Sequence, residues 1–428
     1  MDYLLTGGAV FWEGSFREAN VEIRKGRIVS VSSSLPRGRY TVIELNQQLI
    51  VPGFVDVHVH LREPGFSYKE TMATGTAAAA AGGYTAVCPM PNLNPVPDSP
   101  EHLQAELTAI ARSALVRVYP YGSITAAEQG TVLADLKGLA PEVVGFSDDG
   151  KGVQTDALMR EAMLRARELD RPIVAHCEDN TLLTPGGCVH QGRWAKEHGF
   201  PGISSESEWR QVERDLQLVR ETGCRYHVCH VSTKESVDLL RRAKAEGLPV
   251  TCETAPHYLL LCEDDLRDEG RFKMNPPLRS AADRDALREG LLDGTIDVIA
   301  TDHAPHSAEE KAGGLRKSLM GIVGLETAFP VLYTELVETG LLPLPLLIDK
   351  LALSPRRIFG LPGGAIAPGQ PADLAVLDLN RSHRIDSSLF HSLGRATPFD
   401  GWQVTGKIAM TFCGGNLVYA EPTREDNE

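Results

Sequence analysis

The stretch VDVHVHLREPG, residues 55–65, starts as an apolar β-run and ends on two imidazoles one position apart, then an arginine, an acid and a turn. Side chains alternate along a strand, so His58 and His60 share one face. Two readings compete for the pair. A strand's polar face can carry histidines without further purpose, or the pair can begin a metal site. The spacing alone does not decide between them, so the other ligands have to be sought elsewhere in the chain.

Outward from that stretch, between about residues 52 and 360, short apolar runs alternate with amphipathic helical segments. The runs are GFVDVHVH, YTAVCPM, VRVYPYGSI, VVGFSDD, RPIVAHCED, YHVCHVS, LPVTCETAP and IDVIATDHAPH. Helical partners include ETMATGTAAAAAGG, TDALMREAMLRARELD, ESEWRQVERDLQLVRETG and TKESVDLLRRAKAEG. Eight such alternations predict an α/β fold, a (β/α)8 TIM barrel over residues 52–360, whose chemistry gathers at the C-terminal ends of the strands. Residues 1–51 and 361–428 instead carry short β-rich runs with turn glycines and almost no helical pattern. They predict one small β-sandwich domain formed from both ends of the chain, with EPTREDNE as a disordered tail.

The barrel reading makes a test of the histidine pair, because the other strand ends should then carry polar groups too. RPIVAHCED ends on His176 and YHVCHVS on His230; VVGFSDD ends on Asp148 and Asp149. VIATDHAPH ends on Asp302, with His303 and His306 just beyond. A single strand-end histidine or aspartate is ordinarily structural, but such residues at five strand ends point into one mouth. Imidazoles with carboxylates suit zinc, manganese or iron.

Composition sets limits on function. A net charge of -14 argues against nucleic acid, which needs a basic surface. The start of the chain lacks the pattern of a signal peptide, and no apolar run approaches the roughly 20 residues that cross a bilayer. Eight scattered cysteines without a CxxC pair read as buried free thiols in a reducing cytoplasm.

With HxH on one strand, histidines closing two later strands and an aspartate closing the last, the chain resembles the amidohydrolase superfamily. The longer motifs DVHVHLREPG, AHCED, MNPPLR, TDHAPHSAEEK and GIVGLETAFPVL resemble the class I dihydroorotases. The resemblance implies one or two zinc ions, one held by His58, His60 and Asp302 and a second by His176 and His230. A bridging ligand is then needed, and hydantoinases and allantoinases use a carbamylated lysine for it. In FSDDGKGV the resemblance places Asp149 in that role, with Lys151 as the rival and Asp148 reserved for a local hydrogen bond.

The same resemblance implies reversible cyclisation of N-carbamoyl-L-aspartate to L-dihydroorotate, a step in making pyrimidines, with Asp302 as the catalytic base. Arg62 offers a planar guanidinium for the substrate carboxylate, with His60 and Leu61 beside it. Asn92 and His306 correspond to further carboxylate contacts, and Asn275 and the backbone of Met320 and Gly321 to ring contacts. Relatives commonly have an aromatic where Met320 stands, so this chain departs from the pattern there. The polar stretch SAEEKAGGLRKSL, residues 307–319, is expected to be mobile and to close over the site. The partners implied are a second copy of the chain and aspartate transcarbamoylase, with no membrane. Two other readings stay open: a hydantoinase or allantoinase, disfavoured by the missing lysine and by Arg62, and a non-catalytic scaffold for aspartate transcarbamoylase, disfavoured by the intact ligand set.

Overall fold

The structure, a computed structural model, describes residues 1–36 and 38–422; the expected tail lies outside the described residues from residue 423 on. Its largest part is built on parallel strands. Phe54–Val59, Tyr84–Pro89 and Arg117–Val118 pair in that order, and so do Gly122–Ser123, Phe146–Ser147, Ile173–Ala175, Tyr226–Val228, Val250–Thr254 and Val298–Ile299. The chain runs directly from Arg117–Val118 into Gly122–Ser123, which joins the two groups. Val59 pairs in parallel with His303, whose carbonyl accepts the His60 N–H at 2.8 Å, so the pairing returns to the strand it started from.

Phe54–Val59 is buried along its whole length, as expected of a strand covered on both faces. Helices follow most of the strands, among them Met72–Ala81, Pro100–Ser113, Asp156–Glu168, Glu206–Thr222, Lys234–Ala245 and Ala281–Leu292. Glu206–Thr222 shows why they form where they do. Its buried residues Glu208, Gln211, Val212, Asp215, Leu216, Val219 and Thr222 fall on one stripe at helical spacing. It ends at Gly223, whose φ of 65° is the left-handed turn that glycine adopts without strain.

Residues from both ends of the chain form two further sheets. One holds Tyr3–Thr6, Asn20–Arg24, Arg27–Ser32 and Thr41–Glu44; the other, six-stranded, combines Ala9–Trp12, Ser15–Glu18 and Leu49–Pro52 with Leu374–Arg384, Gln403–Cys413 and Asn416–Ala420. Leu5, Val21 and Ile23 of the first share a buried cluster with Val10, Ile50, Leu374 and Phe412 of the second. The opposite face of the six-stranded sheet places Phe11, Val51, Ala375, Leu377 and Ile408 in the main core. Thr411 fastens that face by donating to the Ala80 carbonyl at 2.7 Å. The sheet is therefore a wall shared by two cores.

All eight cysteines are free and buried. Among the described residues no helix is long and apolar enough to cross a membrane.

Candidate active site

The C-terminal ends of the parallel strands bring the strand-end residues named from the sequence into one cluster. His58, at the end of Phe54–Val59, is fully buried. Its Nδ1 lies 2.6 Å from Glu253 Oε1, a contact in which the ring nitrogen donates and the carboxylate accepts. That bond turns Nε2 inward, 3.4 Å from Asp149 Oδ1 and 3.5 Å from Asp302 Oδ1. His60 Nε2 faces the same two carboxylates, 3.5 Å from Asp149 Oδ2 and 3.2 Å from Asp302 Oδ1. On the far side, His176 Nδ1 and His230 Nε2 approach to 2.8 Å of each other and lie 3.8 and 3.7 Å from Asp149 Oδ1. Among the described residues Asp149 is thus the one carboxylate within reach of all four imidazoles. Lys151 sits half-exposed, its Nζ 3.7 Å from Glu128. Asp148 accepts from the backbone N–H groups of Ile124 and Thr125 at 2.8 and 3.0 Å and from the Thr125 hydroxyl.

Whether these residues fit a metal is tested by what they leave unpaired. Buried polar atoms are nearly always hydrogen-bonded. Yet His58 Nε2 and Asp149 Oδ1 are buried with no hydrogen-bond partner among the described residues. The donor sets His58, His60, Asp149 and Asp149, His176, His230 each gather their ligand atoms within 4.8 Å. Imidazole nitrogens and carboxylate oxygens converging on one buried spot, two of them left without a partner, are the donor chemistry of a divalent transition metal, so the residues fit.

The electrostatics agree with a site built for cations. Burial pushes the Asp149 carboxyl up, but the surrounding His58, His230 and His60 outweigh it and hold it well below the ordinary value. Asp302 is likewise pushed up by burial and brought net downward by His58 and His60. Burial disfavours the charged form of His58, yet Asp149, Glu253 and Asp302 together raise it well above its usual value. Three residues at the site also stand in the left-handed region, Arg62 at φ 61°, His230 at 31° and Asp302 at 49°. Such conformations cost of order 1–3 kcal/mol each in a non-glycine residue and persist where surrounding structure enforces them.

Around this cluster lie the residues expected to meet a substrate. Arg62, largely buried, donates from Nε to the Pro305 carbonyl at 3.2 Å and feels the carboxylates of Asp302 and Asp149. Asn92 donates from Nδ2 to the Asp149 carbonyl at 2.7 Å and to Glu128 at 3.2 Å, while its Oδ1 is buried and unpartnered among the described residues. Asn275 is arranged alike, with Nδ2 on Glu178 at 3.2 Å and Oδ1 unpartnered. His306 donates from Nε2 to the Met320 carbonyl at 2.7 Å and accepts at Nδ1 from Lys69 at 3.3 Å. Burial, with Arg62 and Lys69 nearby, pulls its pKa down to about 4, so it is neutral. Gly321, at φ 133°, lies so close to Ala304 that a Cβ would come 2.7 Å from the Ala304 oxygen. The Leu61 side chain is buried in the main core, against Gly75.

Three residues of the site were not read from the sequence. Glu253 holds the His58 ring, the His230 backbone N–H at 3.3 Å and His227 Nε2 at 3.2 Å. Its one signal was position, an acid closing the run VTCETAP. Glu128, buried beside Asn92, has its pKa raised to about 8 by burial and by Asp148. Lys311 belongs to the polar stretch 307–319, which was expected to be mobile. The structure instead folds that stretch into the short helices Ala308–Lys311 and Gly314–Lys317 and buries Lys311.

Comparison with known proteins places this geometry. Residues 47–236 match the family described as Dihydro-orotase-like. The dihydroorotase of Bacillus caldolyticus is 50% identical over 420 residues, covering 97% of this chain and 98% of the relative. That of Bacillus cytotoxicus is 48% identical over 422 residues, 98% of both chains. Among solved structures, the L-hydantoinase (dihydropyrimidinase) of Arthrobacter aurescens superposes with a TM-score of 0.89 at 27% identity, over 99% of this chain and 97% of that one. A dihydropyrimidinase from Brevibacillus agri superposes with a TM-score of 0.85 at 23% identity, over 98% and 95%, a likeness of fold. At about half the residues identical over nearly the full length of both chains, this chain belongs to the dihydroorotases, hydrolases of a cyclic amide within the amidohydrolase superfamily.

Proposed function

We propose that this chain is a class I, zinc-dependent dihydroorotase that interconverts N-carbamoyl-L-aspartate and L-dihydroorotate in pyrimidine biosynthesis. The observation that carries it is a pair of carboxylates amid converging imidazoles, Asp149 in reach of all four and Asp302 in reach of His58 and His60, with the Arg62 guanidinium beside Asp302. In this reading residues 52–360 are a (β/α)8 barrel, and residues 1–51 and 361–428 a composite β-sandwich domain. His58, His60 and Asp302 would hold one zinc and His176 and His230 a second, with Asp149 common to both sets.

Zinc held there supplies a Lewis acid that polarises the scissile carbonyl and lowers the pKa of water. The protein's own groups do the rest. In ring opening, water oxygen bonds to the amide carbon, the carbon–nitrogen bond breaks, and Asp302 carries the water's proton to the departing ring nitrogen. Ring closure runs the same path backward and releases water. Arg62 binds the substrate carboxylate as a bidentate partner, with Asn92 and His306 around it, while Asn275 and the Met320–Gly321 backbone face the ring. A cytoplasmic setting is supported by eight buried free thiols. A homodimer and a complex with aspartate transcarbamoylase accompany this reading.

The test is ring-opening of dihydroorotate by the purified, zinc-loaded chain, with hydantoin and allantoin assayed in parallel. Dihydroorotate is expected to be turned over selectively and Asp302→Ala to abolish it. Because hydantoinases share the fold, preferential hydrolysis of hydantoin or allantoin would move the chain to a sister activity. No turnover with any of the three would call for the same assay with aspartate transcarbamoylase added.

A further inference from the structure

The segment 307–321 has a use that the reaction as described leaves out. Its adjacent residues Glu310 and Lys311 reach in opposite directions to two different loops of the mouth. Glu310 Oε1 accepts from Lys69 Nζ and from the Tyr68 hydroxyl, each at 3.0 Å, on the loop that begins at Arg62. Its other oxygen accepts the Ser307 N–H at 3.0 Å, which closes the capping box of Ala308–Lys311. Lys311 Nζ donates to three backbone carbonyls, those of Lys273 at 3.0 Å, Leu319 at 2.7 Å and Gly321 at 2.7 Å.

The Lys311 contacts form an interlock with the loop that carries Asn275. An ammonium has three donors, and here it meets three acceptors. Lys273 answers from the other side, its Nζ donating to the Arg316 carbonyl at 3.2 Å, while its own carbonyl also takes the Gly321 N–H at 3.1 Å. Asp268 accepts the Leu315 N–H at 2.8 Å. Gly270 lies so close beneath that a Cβ there would stand 2.1 Å from the Lys311 oxygen. Burial and the neighbouring Lys273 pull the Lys311 pKa down to about 7, a cost that a merely decorative lysine would escape by turning outward.

We propose that Glu310 and Lys311 are positioning residues, a two-way latch that holds the Arg62 loop and the Asn275 loop in fixed relation across the substrate. The inference rests on the reading of Arg62 and Asn275 as substrate contacts. It differs from the lid expected of this stretch: the latch is set before substrate arrives, and its product is the spacing of two groups at opposite ends of one small molecule. Because the latch touches binding loops and none of the metal-site residues, its loss is expected to act as lost uniform binding, which raises KM with little change in kcat.

The experiment compares the zinc-loaded parent with Lys311→Met, which keeps the aliphatic stem and removes the donors, and Glu310→Gln, which keeps shape and removes charge. Steady-state kinetics on dihydroorotate, zinc content and amide exchange of residues 62–70 and 272–276 are measured. Lys311→Met is expected to raise KM about tenfold with kcat changed less than about threefold, at unchanged zinc content, and to speed exchange in both loops. Glu310→Gln should raise KM by about threefold and speed exchange in 62–70 first. A folded Lys311→Met with KM within about twofold of the parent, or with faster exchange confined to 308–319, overturns the latch. Should Lys311→Met not fold, an unchanged KM and unchanged exchange in Glu310→Gln overturn it instead. Exchange needs no substrate, so a parent that fails to open dihydroorotate sinks the functional reading alone and leaves the latch to be decided by exchange.

Discussion

Glu128 sits on two consecutive residues in the left-handed region, Ala127 and itself, at φ 49° and 53°. That turn takes the carboxyl off the surface and lays it against the Asn92 amide, with Asp148 beside it. Its proton affinity is raised, from an ordinary 4.5 to about 8. Between those values the unfolded chain has released the proton and the folded chain still holds it. Stability is therefore fully present below pH 4.5 and is lost as pH rises through about 8, in total of order 5 kcal/mol. Glu128→Gln keeps an acceptor for Asn92 and has no proton to lose. Urea denaturation at pH 5 and pH 9 should show the variant gaining on the parent at the higher pH; equal losses in both proteins would remove Glu128 as the source.

At the scale of the element, the strand Val250–Thr254 contributes no metal ligand to the proposed site, yet through Glu253 it orients one ligand ring and the backbone of another. His58 and His227 hold its carboxyl down at about 2 against the upward push of burial, so it stays ionised as an acceptor. Carboxylates that orient metal-bound histidines typically contribute about 10- to 100-fold in affinity. Glu253→Gln should lose zinc affinity on that order, read by competition with a chromophoric chelator, and an unchanged affinity would show that His58 needs no such support.

The same strand marks how far the sequence could be read. HxH was legible because period two forces both rings onto one face, and Asp302 because it closes an apolar run. Glu253 was not, since its partner His58 lies 195 positions away and no local spacing connects them. Glu128 follows two alanines in a polar segment with no local pattern to mark it; the left-handed backbone there accompanies its burial. Lys311 was misjudged for a related reason. Polar composition predicts exposure, but its three acceptors come from residues that fold alone brings round it. The alternation of strands and helices was legible because it is local and repeated, whereas the six-stranded sheet joins strands more than 300 residues apart.

Across the whole molecule, the centre of that sheet is buried on both faces. Val51, Ala375, Leu377 and Ile408 lie in the main core, and Ile50, Leu374, Val376 and Phe412 in the smaller one. A chain cut after residue 360 would keep every residue of the candidate active site and still expose both cores. Burial of apolar side chains contributes roughly 1.5–3 kcal/mol each, so losing this many exceeds the stability of an ordinary fold. Such a truncation is expected to be insoluble or to lack a cooperative thermal transition. A truncated chain that melted cooperatively with the parent's zinc content would mean the two cores are independent.

The buried cysteines turn the protein into its own set of clocks. Cys177 and Cys229 are chain neighbours of His176 and His230, and burial raises both thiols far from their reactive form. Cys252 lies beside Glu253, and Cys413 where the shared sheet meets the main core. A thiol-specific label added to the intact protein therefore waits on local opening, and the order in which the eight positions are modified would chart which regions breathe first.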